Sequence, residues 1–315
     1  MSDNPRELRQ GIERLRAERG AVILAHNYQL PEVQELADHT GDSLGLARLA
    51  AETDARVIVL CGVRFMAETA ALICPDRRVL LPAAGAGCPL AEMLSAEQVR
   101  EVRRRFPDVY VITYVNSTAE VKAEADICCT SSNAVAVLEQ APADRPIFFG
   151  PDRHLGEYAA RELGRPAAIY PEEAPVMLWP GFCPTHHRLT PADVEEARRL
   201  HPGAPVMVHP ECDISVIDTA DVAASTGGML DYPGSVEAEE FIVGTEVGML
   251  TPLRKRYPKR RFHALAPEKT VCYNMKMVTA DGVREALDKL GPMIEVEEAI
   301  AERARKAIEG MLAVG

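Results

Sequence analysis

The sequence has no C-x-x-C pair, few aromatic residues and no long apolar run. Its eight cysteines stand at positions 61, 74, 88, 128, 129, 183, 212 and 272. Without a C-x-x-C pair, ferredoxin-type motifs and zinc knuckles are excluded, so any metal ligands must come from distant parts of the chain. No segment approaches the roughly 18 apolar residues that span a bilayer, so no membrane partner is expected. The polar first residues predict no secretory signal, so we expect a cytoplasmic location without structural disulfides.

Positive charge is also scarce, because 35 Lys and Arg stand against 47 Asp and Glu, for a net charge of −12. That balance argues against binding to nucleic acid, whose affinity depends on neutralising phosphates. The basic run at 254–261 is therefore interpreted as a solvated helix end. With 47% apolar residues the chain can form an ordinary globular core. Small molecules are the expected ligands.

One pattern occurs three times along the chain. Each copy has a short β-rich run, a residue pair at i and i+2, a helical stretch, and a hydroxyl residue 17 positions after the leading residue. The leading and hydroxyl residues are His26 and Ser43, Tyr114 and Ser131, and His209 and Thr226. A second apolar run then ends in glycine, 36, 36 and 35 positions after the leading residue, at Gly62, Gly150 and Gly244. An internal repeat of this kind predicts three related structural units.

Short β-rich runs that alternate with helices of about ten residues are typical of parallel βαβ units. We therefore predict an α/β fold of three small, pseudo-symmetric domains around a central active site. Each domain is expected to have three layers, with a parallel sheet between helices. The predicted boundaries are 1–90, 91–185 and 186–272. The C-terminal helix, within 273–315, is expected to pack on the first domain.

The polar residues of the repeat lie where parallel sheets bind ligands, at the C-terminal strand ends and the following helix starts. If the three units meet around a pseudo-threefold axis, these residues converge on one cavity. The candidates are the pairs His26 and Tyr28, Tyr114 and Asn116, and His209 and Glu211, with the hydroxyl residues Ser43, Ser131, Ser225 and Thr226.

Three of the cysteines follow the repeat, namely Cys88, Cys183 and Cys272, which are 95 and 89 residues apart. One thiolate from each unit makes an incomplete ligand set. It suits a [4Fe–4S] cluster with one open iron, or a zinc ion with an open position. The other five cysteines are interpreted as core residues, although Cys212 could line the cavity. His186 and His187 are interpreted as loop residues without a metal role.

The ordered motifs resemble those of the quinolinate synthase (NadA) family over nearly the whole chain. The motifs are LAHNYQ (24–29), GDSLGLA (41–47), GCPLAEM (87–93), YVNSTAEVKAEAD (114–126), CTSSNA (129–134), GPDRHLGEY (150–158), GFCPTHH (181–187), HPEC (209–212), STGGM (225–229) and GTEVGML (244–250). Single motifs are weak evidence, but their order is specific.

The resemblance implies a transferase-type condensation of iminoaspartate with dihydroxyacetone phosphate, which gives quinolinate, phosphate and water in the biosynthesis of NAD. It implies a [4Fe–4S] cluster held by Cys88, Cys183 and Cys272, and an open iron that acts as Lewis acid. It also implies functional coupling to an aspartate-oxidising enzyme. Catalytic roles are expected for Tyr28, Tyr114, His209 and Glu211. Substrate-binding roles are expected for His26, Ser43, Asn116, Ser131, Ser225 and Thr226.

Two other classes of function stay open at this point. One is a zinc-dependent hydrolase or deaminase that uses the same three cysteines, which the metal content would distinguish. The other is an iron–sulfur electron carrier, which has no use for a polar cavity with paired acid and base groups.

Overall fold

A computed structural model describes residues 4–314 and contains three parallel sheets in succession. The first sheet has the strand order β2-β1-β3-β4. Its strands are β1 (Ala21–His26), β2 (His39–Gly41), β3 (Val57–Cys61) and β4 (Arg78–Leu80). Its helices are α1 (Pro5–Arg19), α2 (Pro31–Leu36), α3 (Ser43–Glu52) and α4 (Arg64–Ile73). Every strand pair of this sheet is parallel, as expected for βαβ units.

The second sheet has five strands in the order β6-β5-β7-β9-β8. The strands are β5 (Tyr110–Tyr114), β6 (Ile127–Cys129), β7 (Ile147–Gly150), β8 (Ala167–Ile169) and β9 (Val176–Leu178). The helices are α5 (Ala96–Arg105), α6 (Ala119–Lys122), α7 (Ala134–Gln140), α8 (Arg153–Glu162) and the short α9 (Pro184–His187).

The third sheet repeats the order of the first, as β11-β10-β12-β13. Its strands are β10 (Val206–Val208), β11 (Val222–Ala223), β12 (Glu240–Gly244) and β13 (Arg261–Ala264). Its helices are α10 (Pro191–Leu200), α11 (Ile214–Ile217), α12 (Thr226–Ser235) and α13 (Leu250–Arg256). The last two helices of the chain are α14 (Ala280–Lys289) and α15 (Glu298–Ala313).

The three sheets each separate two apolar layers, which explains why their central strands carry apolar residues on both faces. Alternate residues of a strand point to opposite faces. In β1, Ile23 packs in an outer cluster with α1 and α14, whereas Leu24 joins an inner cluster. Ile112 of β5 and Met207 of β10 join the same inner cluster. The predicted three-layer, three-unit α/β fold is confirmed, and its inner layers form a shared core.

In each unit, an aspartate directly before the second strand accepts a backbone hydrogen bond from the leading strand. Each aspartate stands 12 residues after the leading residue of its repeat. The carboxylates of Asp38, Asp126 and Asp221 accept the backbone N–H of Ile23, Val111 and Val206 at 2.8, 2.7 and 2.7 Å. They also pair with Arg16, Arg103 and Arg198, which lie on the preceding helices. The repeat therefore extends to individual hydrogen bonds.

The C-terminal segment packs on the first unit, as predicted, but also on the second. The segment forms two helices, because the chain turns at Leu290, which has a φ of 52°, and continues through Gly291-Pro292. Helix α14 packs on α1, whereas α15 lies against α4 of the first unit and against α6 and β6 of the second. Its buried face includes Ala304, Ile308 and Met311, which cover the edge strand β6.

Among residues 4–314, no helix is both long enough and apolar enough to cross a membrane.

Candidate active site

A cavity lies where the three units meet. It is lined by residues that the sequence analysis selected, namely His26, Tyr28, Ser43, Cys88, Tyr114, Asn116, Ser131, Cys183, His209, Glu211, Thr226 and Cys272. Ser225 is the one selected residue outside this lining. Its hydroxyl instead accepts the N–H of Gly228 at 3.2 Å and thereby caps α12. The structure thus gathers the repeated positions into one space.

The same turn presents two of the residue pairs to the cavity. His26 ends β1, and the N–H of Tyr28 donates to its Nδ1 at 3.1 Å. His209 directly follows β10, and the N–H of Glu211 donates to its Nδ1 at 3.3 Å. In each pair the first imidazole accepts a backbone hydrogen bond that fixes the residue two positions later. The i and i+2 spacing is therefore a local turn at a strand end.

The hydroxyl residues lie at helix starts, where backbone N–H groups and the helix dipole favour anions. Ser43 is the first residue of α3, which Asp42 caps through a 2.7 Å bond from Gly45. Thr226 opens α12 and accepts a bond from the amide of Asn27 at 3.1 Å. Ser131 precedes α7 in a turn. Three helix starts from three units thus face one cavity.

The carboxylate of Glu211 is the centre of the polar network. Its Oε1 accepts from the Tyr114 hydroxyl at 2.6 Å and from the Asn116 amide at 3.4 Å. Its Oε2 lies 2.6 Å from Nδ1 of His186 and 3.7 Å from Nδ1 of His209. The side chain is 4% exposed, so these partners replace water around the charge.

The network continues from His186 into the first unit. His186 Nε2 lies 2.8 Å from the Thr245 hydroxyl, which is 2.6 Å from the Tyr28 hydroxyl. An unbroken path of hydrogen bonds therefore runs from Tyr114 through Glu211, His186 and Thr245 to Tyr28. Such a path can relay protons between two sides of a bound substrate.

The interpretation of His186 as a loop residue was wrong. His186 lies in α9, is 1% exposed, and lines the cavity. The signal that pointed to it was its position three residues after Cys183 in GFCPTHH, which places it one helical turn after the cysteine. His187 lies farther out, against His154 at 3.0 Å. Thr245 and Glu246, which follow Gly244, were also missed, although they stand at a strand end of the repeat.

Burial sets the protonation states in the cavity. It lowers the pKa of His26 and of His209 to about 3, so both imidazoles are neutral at neutral pH. Burial also raises the pKa of Tyr28 and of Tyr114 well above the usual range, which keeps both phenols protonated. For Glu211, burial acts upward, but His186, His209 and the Tyr114 hydroxyl outweigh it and hold the pKa below the ordinary value. The site therefore combines the ionised carboxylate of Glu211 with neutral imidazoles and protonated phenols.

Asn116 has a further feature that suits ligand binding. Its Oδ1 is buried without a hydrogen-bond partner among the described residues, while its Nδ2 faces Glu211. A buried acceptor without a partner costs about 1–3 kcal/mol, so a ligand that donates to it would bind more tightly. The Asn116 amide is thus positioned to bind a donor group of a ligand.

The three selected cysteines all line the cavity, are half-buried and are not in disulfides. Burial raises the pKa of the Cys88 thiol to about 12, and also raises those of Cys183 and Cys272. The thiols therefore lose their protons only when a metal replaces them. Cys212 is fully buried and packs in the core of the third unit, outside the cavity lining.

Two groups of possible metal-ligand atoms lie close together in the described part of the chain. Within residues 4–314, the groups of three ligand atoms closer than 4.8 Å are Cys183, His186 and Glu211, and His201, Glu240 and His263. The first group lines the cavity and includes one of the three selected cysteines.

Comparison with known proteins adds a family to this geometry. The family model described as Quinolinate synthetase A protein (NadA) matches residues 10–313. The chain belongs to this family.

Relatives from distant organisms agree along their whole length. The chain is 52% identical to a quinolinate synthase of Methanoregula boonei over 312 residues, which cover 99% of this chain and 100% of that protein. It is 48% identical to a quinolinate synthase of Geobacter sp. strain M21, covering 98% and 97% of the two chains. It is 49% identical to one from Desulforudis audaxviator, covering 98% of each. The resemblance to the NadA family predicted from the motifs is thus confirmed.

Proposed function

We propose that this chain is a quinolinate synthase, which condenses iminoaspartate with dihydroxyacetone phosphate to quinolinate, phosphate and water. The observation that carries the proposal is one thiol from each unit facing the same cavity as the Glu211 network. Membership of the NadA family supports it. The reaction is a transferase-type condensation in the biosynthesis of NAD.

Cys88, Cys183 and Cys272 are the residues that would hold a [4Fe–4S] cluster. Such a cluster with three protein ligands supplies one iron that can act as a Lewis acid toward a substrate oxygen. The place of all three thiols at the lining of one cavity supports this assignment.

Glu211 is the proposed general base. It is ionised at neutral pH because its pKa is low, and a base must be unprotonated to take a proton from carbon or nitrogen. The hydroxyl of Tyr114, at 2.6 Å, and His186, at 2.6 Å, orient its two oxygens. Tyr28 is the proposed proton donor on the other side, and the neutral imidazoles of His26 and His209 can donate hydrogen bonds to the substrate.

The substrates carry carboxylates and a phosphate, and the cavity offers three helix starts to bind them. Ser43, Ser131 and Thr226 are the proposed hydroxyl donors, and Asn116 is the proposed amide partner. The N-terminus of α12, with its Thr226-Gly227-Gly228 turn, suits the phosphate because glycines let backbone N–H groups approach an anion closely. Ser225 supports this turn as the helix cap.

Iminoaspartate must be supplied by oxidation of aspartate at its amine. We therefore place functional coupling to an aspartate-oxidising enzyme upstream of this chain, in the cytoplasm.

The test is an anaerobic assay of quinolinate formation by cluster-loaded protein, with iron, sulfide and zinc measured for each sample. Cys88→Ala, Cys183→Ala and Cys272→Ala should each lose both the cluster and the activity. Cys74→Ala and Cys128→Ala are the matched controls, because both thiols are buried outside the cavity lining, and these variants should keep the cluster. Wild-type protein that loads no iron and makes no quinolinate would contradict the proposal.

The same samples test the zinc alternative. Cys183, His186 and Glu211 offer sulfur, nitrogen and oxygen ligands within 4.8 Å, a set that suits a single zinc ion. A colourless, air-stable protein with one zinc and no iron would favour that alternative.

A further inference from the structure

The loops that carry the three cysteines are attached to their sheets by one repeated backbone hydrogen bond. A residue just after the second apolar strand donates its N–H to the carbonyl two positions before the cysteine. These bonds run from Arg64 to Ala86 at 2.8 Å, from Arg153 to Gly181 at 2.9 Å, and from Val247 to Thr270 at 3.0 Å. The bond aligns the three units residue by residue and identifies equivalent positions that the sequence spacing alone does not.

The residue before each donor differs among the units. It is Val63 in the first unit, Asp152 in the second and Glu246 in the third. Asp152 Oδ2 accepts the backbone N–H of Cys183 at 3.1 Å. Glu246 Oε1 accepts the backbone N–H of Cys272, also at 3.1 Å. Val63 has an apolar side chain, which cannot accept the corresponding N–H of Cys88.

Each carboxylate uses its second oxygen to hold the start of the next helix. Asp152 Oδ1 accepts from His154 and Leu155 at 2.9 and 3.0 Å and caps α8. Glu246 Oε2 accepts from Gly248 at 2.7 Å and from Lys276 at 3.0 Å. Both residues are fully buried. A buried carboxylate that accepts three hydrogen bonds is held in one orientation, so it fixes the cysteine loop relative to the strand end.

From this geometry we infer that Asp152 and Glu246 are positioning residues that set the place of Cys183 and Cys272, whereas Cys88 is held without such a carboxylate. The effect on the cluster rests on the proposed function, whereas the effect on the positions of the two cysteines does not. Residues that orient metal ligands commonly change metal affinity by about 10- to 100-fold when they are replaced. The ligand set is then asymmetric, with two carboxylate-anchored cysteines and one that is anchored through backbone alone.

The experiment uses the substitutions Asp152→Asn and Glu246→Gln. An amide has a single acceptor oxygen, so it can satisfy either the helix start or the cysteine but not both. Asp126→Asn is the matched control, because Asp126 also holds a backbone N–H, that of Val111, but contacts no cysteine loop. General destabilisation by an Asp to Asn change is therefore present in the control too.

The first measurement is thiol alkylation of metal-free protein, mapped by mass spectrometry. Asp152→Asn should speed alkylation of Cys183 about tenfold and leave Cys272 unchanged, as expected for loss of a hydrogen bond to a charged acceptor. Glu246→Gln should do the reverse, and neither should affect Cys88. A variant that has merely unfolded would expose all three thiols together. Equal rates in wild type and variants would overturn the inference.

The second measurement is the rate at which cluster-loaded protein releases iron to a chelator under anaerobic conditions. Both variants should release iron about 10-fold faster or more, with an altered electron resonance signal of the reduced cluster, and the control should match wild type. Unchanged release and an unchanged signal would overturn the positioning role. If wild type takes up no cluster, the proposed function fails, while the alkylation pattern still decides whether the carboxylates position the cysteines.

Discussion

The carboxylate of Glu211 is the charged centre of the hydrogen-bond network in the cavity. Its oxygens are divided between Tyr114 and Asn116 on one side and His186 on the other. A buried carboxylate is costly unless its partners replace water, and here residues from two units do so. The base is therefore assembled only when the second and third units are together.

Replacing Glu211 with glutamine tests its role as base. The amide keeps the size and one acceptor oxygen but cannot take a proton, so quinolinate formation should fall by about 10²-fold or more. Iron content and circular dichroism should match wild type. Glu101→Gln, at an exposed position of α5, is the control and should leave the rate unchanged. A Glu211→Gln enzyme with near-normal turnover would show that the carboxylate is structural.

At the scale of elements, α8 shows how closely a helix and a sheet pack in this fold. A methyl group at Gly156 of α8 would lie 2.6 Å from Leu178 Cδ2 and 2.7 Å from Phe149 Cδ1. Both contacts are shorter than van der Waals separation, so glycine is required by the closeness of α8 to β7 and β9. The packing of α8 on the second sheet therefore requires a residue without a side chain at position 156.

The Gly156→Ala substitution should therefore lower the free energy of unfolding by about 1–3 kcal/mol, the usual cost of overpacking. Gly11→Ala in α1 is the matched control, because a methyl group there would meet nothing within 4 Å. It should raise stability by about 0.5–1 kcal/mol, since alanine favours a helix. Urea denaturation of the metal-free protein measures both. Changes of the same sign would contradict the packing argument.

Helix α15 is attached to the second unit by a side chain from another element. The Asn133 amide donates to the carbonyl of Met311 at 3.0 Å and to that of Val314 at 2.8 Å. These groups belong to the helix C-terminus, whose last carbonyls lack partners within the helix. The Asn133 carbonyl oxygen separately accepts the N–H of Thr130 at 2.8 Å.

Asn133→Asp should release α15 while keeping the bond to Thr130. Aspartate has no donor for the two carbonyls, and its charge is unfavourable at a helix C-terminus. We expect faster cleavage by a protease in the segment 290–297 and a loss of about 1–3 kcal/mol in stability. Ser132→Ala, at an exposed neighbouring position, should leave the cleavage rate unchanged. Equal cleavage of Asn133→Asp and wild type would indicate that the apolar packing and the other polar contacts of α15, such as the bond from Arg305 to the carbonyl of Leu72, are sufficient to hold it.

For the whole molecule, the central site should make stability depend on pH. The pKa values of His26 and His209 are about 3 in the folded protein and about 6.5 in an unfolded chain. As the pH falls below 6.5, protons bind the unfolded chain first, so the stability that is fully present above 6.5 is lost progressively toward pH 3. Closing the three units around neutral imidazoles is therefore most favourable near and above neutrality.

Between pH 7 and pH 5, each of these two histidines should cost the metal-free protein roughly 2 kcal/mol of unfolding free energy. His26→Gln should remove roughly 2 kcal/mol of the pH-dependent loss, whatever its effect on absolute stability. His39→Gln is the control, because His39 is exposed on β2 and should leave the slope unchanged. A slope in His26→Gln equal to that of wild type would show that His26 does not titrate as its burial requires.

The sequence by itself determined the three units and most of the cavity lining. Spacings such as that from His26 to Ser43 work because a parallel βαβ unit places strand ends and helix starts at the same edge, so linear distance translates into position. The same reasoning selected Cys88, Cys183 and Cys272. The aspartates at 38, 126 and 221 were equally periodic and could have been predicted.

The contacts that join the units depend on the folded structure. Nothing local in GFCPTHH requires His186 to bond with Glu211 and Thr245, because those residues approach it only when two domains pack together. Nor could spacing place α15, since its apolar face packs on β6 and α6 of the second unit and on α4 of the first. The repeat spacing in the sequence predicts the structure within each unit. The contacts between units depend on the shapes of surfaces that come together only in the folded chain.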